Sequence, residues 1–470
     1  MSLTNQQQRE QNNQSYSLSK WLSLLFLLLS IALFFYVYYR SGDINNIIYF
    51  KYYLLSIAGS LFWLVVFKLK REFQQNILLS FTTLMIMLYL IEGLFTFYGV
   101  GDSPIRSNRL MKLGLEFDQR TKLEVVTDLK KDGINAVPSF SPAGSWLTRL
   151  NKVEFNKKNL NSLFPLGGVA HKTTVYSDEL EEYLIYKSDR YGFNNPDNQW
   201  DLKPIEWLLV GDSFLHGSGA LPGQEIAAKI REFDLNSVIN LGIAGNGPLV
   251  EYATLKEFGG ALKPKKVIWV YFEGNDLRNL ERERRSHLLM QYMNNKFSQD
   301  LINRQREVDS LLNDYLDEAF KLAKRDELVE DIIHKSSWIR LSRIRKLLAI
   351  DEVDIDISII GPAFVEILTN AKTLVESWGG ELYFVYLPEH SRYTKKMISH
   401  SQYKSKSDVT DMVNNLKIPV IDMHQEVFSK NNNPLLLFPF GLPGHYNADG
   451  YREVAKAILT GVNKYEQRNK

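Results

Sequence analysis

Residues 207–219 read WLLVGDSFLHGSG. The run Trp207–Val210 is apolar without alternation, the pattern of a strand buried on both faces, and Gly211, Asp212 and Ser213 follow it directly. That order presents the Ser213 hydroxyl where a strand ends and a helix begins, a place suited to a nucleophile. More short apolar runs come later, at Val238–Leu241, Val267–Phe272, Leu382–Leu387 and Val420–Asp422. Amphipathic stretches lie between most of them, at Glu225–Phe233, Leu249–Phe258 and Ala363–Trp378. Strand and helix in alternation predict an α/β fold with a doubly wound parallel sheet, in which sites form at the carboxyl ends of strands.

Taken alone, Gly-Asp-Ser is a common loop or helix-cap tripeptide. Its weight comes from the turns that follow the next strands, INLGIAGNGP and EGNDLRN, and from GHYNADGY near the C-terminus. Acyl transfer needs a nucleophile, a base and hydrogen-bond donors aimed at the tetrahedral oxyanion, and these four segments can supply all of them. In this order the blocks resemble those of the SGNH/GDSL hydrolase superfamily over about Glu206–Ile458, an insertion apart. The resemblance implies a flavodoxin-like arrangement of that sheet, with Ser213 as nucleophile, His445 as general base, and the Ser213 amide, the Gly245 amide and the Asn275 side chain as oxyanion donors. Asparagine donates without titrating and glycine lets backbone approach a substrate closely, which suits both assignments.

One position departs from the family pattern. The superfamily commonly places an aspartate three residues before the histidine, and here that position is Leu442, followed by Pro443. The acceptor that orients His445 is then Asp449, Asp422, a backbone carbonyl or a water, and the expectation is a Ser-His dyad with carbonyl help. Asp212 and Asp276 read as turn carboxylates. His216 either lines the pocket or is an incidental loop histidine, while His390 and His424 carry no motif. No metal spacing stands out, no cofactor is expected, and GIAGNG lacks the lysine and hydroxyl pair of a phosphate-binding loop.

Composition narrows the classes further. Lys+Arg 56 against Asp+Glu 54 in 470 residues argues against nucleic acid as a partner, and Cys 0 removes disulfides, thiolate metal sites and cysteine nucleophiles. The apolar residues are concentrated near the N-terminus. Trp21–Tyr39 is uncharged, and Ile47–Phe67 and Ile77–Tyr98 follow it, so three transmembrane helices are expected after a polar, disordered tail. Lys68, Lys70 and Arg71 lie between the second and third spans, which places that loop in the cytoplasm and everything after Tyr98 outside it. Glu92, near the end of the third span, reads as a lightly buried or solvated carboxylate without a function.

The expected organisation is a cytoplasmic tail (1–20), a three-helix membrane anchor (21–99), a lead-in subdomain (100–204) and a hydrolase-like domain (205–470) with a helical insertion at about 277–350. Val308, Leu312, Leu316 and Phe320 give that insertion helical spacing, as a lid or partner arm, or as a hairpin packed on the flank. KSDRYGFNNPD (187–197) and GHYNADGY resemble envelope-associated members of the superfamily. The function these features imply is an extracytoplasmic, membrane-anchored serine esterase acting on O-acyl groups of envelope carbohydrate, with an envelope protein as a possible partner. An O-acyltransferase using the same residues and a non-catalytic glycan-binding or assembly protein are the alternatives.

Overall fold

The computed structural model describes residues 2–41, 50–98, 113–142, 163–177, 179–318, 341–347, 357–394 and 405–469. The chain divides into two compact units, Met1–Ser103 with Glu330–Val353, and Pro104–Val329 with Asp354–Lys470.

The first unit is helical, with α1 (Ser2–Ser41), α2 (Phe50–Lys68) and α3 (Arg71–Tyr98). The N-terminal tail continues α1 instead of being disordered, because Gln, Glu and Arg are good helix formers and the apolar helix beyond them removes the cost of nucleation. Among the described residues, two helices are long and apolar enough to cross a membrane, over Leu18–Tyr39 and Arg71–Phe97. The apolar stretch of α2, Tyr52–Lys68, is shorter, so the middle one of the three expected spans falls below that standard. Trp63 of α2 nevertheless packs between the other two, its ring centroid 4.7 Å from Phe26 and 5.0 Å from Phe81. Glu92 departs from the solvated reading: it is fully buried, and its two carboxylate oxygens accept the backbone N–H groups of Arg343 and Ile344, each at 2.9 Å. Those residues open α9 (Ser342–Leu347), a short helix from the insertion that belongs to this unit.

The second unit is built on five parallel strands: β4 (Trp207–Gly211), β5 (Val238–Asn240), β6 (Lys266–Phe272), β7 (Glu381–Leu387) and β8 (Val420–Asp422). Their order is β5-β4-β6-β7-β8, so the first strand is flanked by the second and third. Alternate residues feed two cores. Leu208, Val210, Trp269, Phe384 and Tyr386 point to one, with α7 (Pro248–Thr254), α8 (Asp276–Glu283), α10 (Ile357–Ser377) and α11 (Lys406–Asn415). Trp207, Leu209, Ile268, Tyr383 and Val385 point to the other, with α6 (Ile226–Asp234) and α12 (Ala448–Asn469). Burial on both faces is why these strands lack hydrophobic alternation.

The region ahead of β4 forms its own small sheet, β1 (Ala136–Pro138) parallel to β2 (Thr173–Val175), and β2 antiparallel to β3 (Ile185–Lys187), beside α4 (Lys122–Lys131). It is not detached: Phe164, Leu166, Phe193 and Trp200 lie in the first core of the main sheet. The insertion behaves similarly as far as residue 318. Leu289, Tyr292, Val308, Leu312 and Leu316 join that core, so this part is packed structure and not a lid. Glu257 pins its entry, accepting from Tyr292 Oη (2.6 Å), Gln299 N (2.5 Å) and Leu301 N (2.9 Å). Phe320 and most of the insertion beyond it lie outside the described residues.

Candidate active site

Glycine makes the turn after β4 possible. A Cβ on Gly211 would stand 3.0 Å from the Val270 carbonyl oxygen of β6, and one on Gly242 would stand 2.7 Å from Leu215. Asp212 caps α5 (Ser213–His216), its Oδ1 accepting from Phe214 N at 2.9 Å, so its carboxylate is occupied by the turn, as expected. Ser213 is therefore the first residue of that helical turn, 8% exposed, at the carboxyl end of the strand that β5 and β6 flank.

His445 arrives from the segment before α12, and its Nε2 lies 2.6 Å from Ser213 Oγ. The Phe214 ring packs on the imidazole at 4.5 Å between centroids and limits its tilt. The acceptor on the other side is neither of the expected aspartates. Asp449 Oδ1 pairs with Arg452 at 2.9 Å on the surface of α12. Asp422 ends β8, accepts from His424 N at 3.0 Å and pairs with Lys406. A carbonyl does not fill the place either: Glu179, just after β2 in the small sheet, meets His445 Nδ1 through Oε1 and accepts the His445 backbone N–H through Oε2 at 2.9 Å. Gly444 makes room for it, since a Cβ there would stand 2.9 Å from that Oε2.

The carboxylate only accepts, so the ring carries its proton on Nδ1 and leaves Nε2 free to accept from the Ser213 hydroxyl. Burial draws the His445 pKa down, and the Glu179 carboxylate with Asp212 behind it more than offsets this, leaving it above the ordinary histidine value. Burial raises the pKa of Asp212 itself, against the pull of the Phe214 N–H and of His445.

The proposed oxyanion donors sit in the turns on either side. Gly245, at φ +81°, follows Ala244, whose N–H donates to His216 Nδ1 at 3.2 Å. Asn275 caps α8 and its side-chain amide favours the ionised form of Asp212. Asp276 accepts from Phe272 N at 2.8 Å, a turn carboxylate as expected. His216 is not a pocket group: it is buried, stacked on Tyr176 at 3.8 Å between centroids, bonded to Tyr186 Oη at 2.8 Å, and burial pushes its pKa down to about 3. His390 bonds the Gly441 carbonyl at 2.9 Å and His424 the Tyr393 hydroxyl at 2.8 Å, both away from Ser213. Among the described residues, no group of three or more His, Asp or Glu side chains is spaced to hold a metal ion.

The segment KSDRYGFNNPD has a local explanation. Asp189 accepts from Tyr191 N and Phe193 N at 2.9 Å, Asn195 Nδ2 at 2.8 Å and Trp200 Nε1 at 2.7 Å. Asn195 then bonds both backbone groups of Asn240 at the end of β5, and Asn194 donates to the His216 carbonyl at 3.1 Å. The segment braces the turns that carry Ser213 and Gly245.

No family model and no curated protein matches this chain. Among solved structures it is similar to a chain described as a lipolytic protein of the G-D-S-L family from Desulfitobacterium hafniense, at 13% identity and a TM-score of 0.31, with 55% of this chain and 99% of that one covered. A likeness at that level carries no argument, so the functional reading rests on the geometry of Ser213 and His445.

Proposed function

We propose that this chain is a serine esterase of the SGNH/GDSL type, held at a membrane by its N-terminal helices with the catalytic domain outside the cytoplasm, on a doubly wound sheet. The observation that supports it is the 2.6 Å approach of His445 Nε2 to Ser213 Oγ at the carboxyl end of β4. In the proposed reaction Ser213 Oγ attacks the acyl carbonyl carbon as His445 takes its proton. The carbonyl electron pair moves onto oxygen, toward the Ser213 amide, the Gly245 amide and Asn275. The intermediate collapses as His445 returns the proton to the leaving alcohol. Water then repeats the sequence on the acyl-enzyme and frees the acid. A sugar hydroxyl in place of that water would make the same site an acyltransferase.

The substrate proposed is an O-acyl group on envelope carbohydrate, which rests on the resemblance alone, since KSDRYGFNNPD is accounted for by bracing. The non-catalytic alternative drew its support from Leu442, and the contact of Glu179 with His445 weighs against it. The test is labelling of the full chain in detergent micelles with a fluorophosphonate, followed by peptide mapping. The expected adduct is on Ser213, dependent on folding and lost in Ser213→Ala and His445→Ala. Folded protein that takes no label would overturn the reading.

A further inference from the structure

We infer that Glu179 is the positioning residue of this site, an acid supplied by the small sheet ahead of the nucleophile in place of the aspartate that Leu442 displaces. The inference rests on the proposed roles of Ser213 and His445.

Several observations converge on it. Glu179 holds His445 at two atoms of one residue, the ring Nδ1 and the backbone N–H, so the carboxylate fixes ring and main chain together. The approach is built into the backbone at Gly444, where a Cβ would stand 2.9 Å from Glu179 Oε2. Gly219 is at φ +81°, a conformation that a side chain would strain, and a Cβ there would also meet the Tyr446 carbonyl at 2.7 Å. The loop bearing Glu179 is fixed from both sides. On the near side, Tyr176 after β2 bonds Ser218 and stacks on His216; on the far side, Leu184 before β3 donates its N–H to the Ser177 carbonyl at 2.7 Å. The charged and titratable groups facing His445 are Glu179, Asp212 and Ser213, with His216 beyond them held neutral by burial.

The role follows from proton bookkeeping. Nδ1–H stays on the ring and donates to Glu179 throughout, while Nε2 takes the Ser213 proton and returns it to the leaving alcohol. Glu179 never becomes the proton's destination. It selects the tautomer, aims Nε2 and stabilises the imidazolium that forms in between. One consequence is that the small sheet is part of the catalytic machinery: without β2 and β3 in place, His445 has neither tautomer control nor a fixed direction.

The test compares wild type with Glu179→Gln, Glu179→Asp and the double variant Glu179→Ala with Leu442→Asp, all as full chains in micelles. Glu179→Gln is expected to lower kcat toward a small activated ester by roughly 10²- to 10⁴-fold with KM nearly unchanged. Its acid limb in kcat/KM should move to lower pH, because removing the carboxylate lowers the His445 pKa and the ring stays neutral further into acid. Glu179→Asp, and the double variant that restores an acid at the family's usual position, should recover part of the rate. A loss caused by misfolding alone would spare none of these variants selectively and would not shift the pH limb.

A second readout does not depend on turnover: ¹⁵N-histidine NMR of the full chain, with the His445 signal assigned by its loss in His445→Ala. Its titration should move to lower pH in Glu179→Gln. An unchanged titration and unchanged kcat in a folded Glu179→Gln protein would overturn the inference, even with Ser213 labelled in wild type. Absent Ser213 labelling with a shifted His445 titration would instead overturn the esterase reading and leave the pairing intact.

Discussion

A methyl group added at Gly242 would lie 2.7 Å from Cβ and Cγ of Leu215 and 2.8 Å from the His216 amide nitrogen, in the middle of the turn that carries Ser213. Neither neighbour can yield cheaply, because both belong to a fully buried helical turn. Gly242→Ala should therefore destabilise the second unit by roughly 1–3 kcal/mol and displace Ser213. A lower melting temperature together with slower fluorophosphonate labelling would show it; an unchanged rate would mean that the turn absorbs the methyl elsewhere. Ser213 and His445, which the structure brings together, stand out in the sequence because each lies in a short block with its own turn chemistry beside a strand or helix, as do the proposed oxyanion donors Gly245 and Asn275. Glu179 does not. It lies 266 positions from His445, among acids (Glu181 and Glu182) that look alike in sequence, and only the packing of two sheets selects it. His216 was half legible: its place beside the nucleophile was visible, but the Tyr176 stack and Tyr186 hydroxyl that make it structural come from another element.

At the scale of elements, the strands and their order of appearance were readable because burial on both faces leaves unbroken apolar runs, as in VIWVYF of β6. The insertion was readable as helical from Val308, Leu312 and Leu316, but its destination was not, since spacing tells which face is apolar and not what covers it. The same holds for Glu92. A carboxylate near the end of an apolar helix reads as solvated until α9 brings two backbone N–H groups to it, with Arg343 also reaching Thr96 Oγ1 at 2.8 Å. Hydrogen bonds to a buried charge contribute about 1.5–3 kcal/mol each. Losing both should raise the open population of α9 by roughly 10²- to 10⁴-fold, at one decade per 1.4 kcal/mol. Trypsin cleavage after Arg343 and Arg345 in the full chain reads that population. Glu92→Ala should accelerate cleavage there by such a factor, and an unchanged rate would show that apolar packing by Ile344 alone holds the helix.

At the scale of the whole molecule, the proposed membrane anchor poses the question of how many times the chain crosses the bilayer. The basic loop with Lys68, Lys70 and Arg71 joins α2 to α3, while Tyr52, Glu92 and Thr96, which Arg345 and Arg343 contact, lie toward the opposite ends of those helices. If the basic loop is cytoplasmic, as proposed, α9 meets the helices on the outer side. The deciding element is α2, whose apolar stretch Tyr52–Lys68 is at the lower limit of about 17 residues for a crossing. Its 19 residues rise about 1.5 Å each, close to the bilayer's hydrocarbon thickness, and Trp63 packs against Phe26 and Phe81. Three crossings put the two termini on opposite sides of the membrane; two crossings, by α1 and α3 alone, put them on the same side. Paired reporters that fluoresce only in the cytoplasm, one fused ahead of Met1 and one after Lys470, separate these outcomes. Fluorescence from the N-terminal fusion alone is expected. Signal from both would reduce the anchor to two crossings and place Ser213 and His445 in the cytoplasm, where an extracytoplasmic substrate could not reach them.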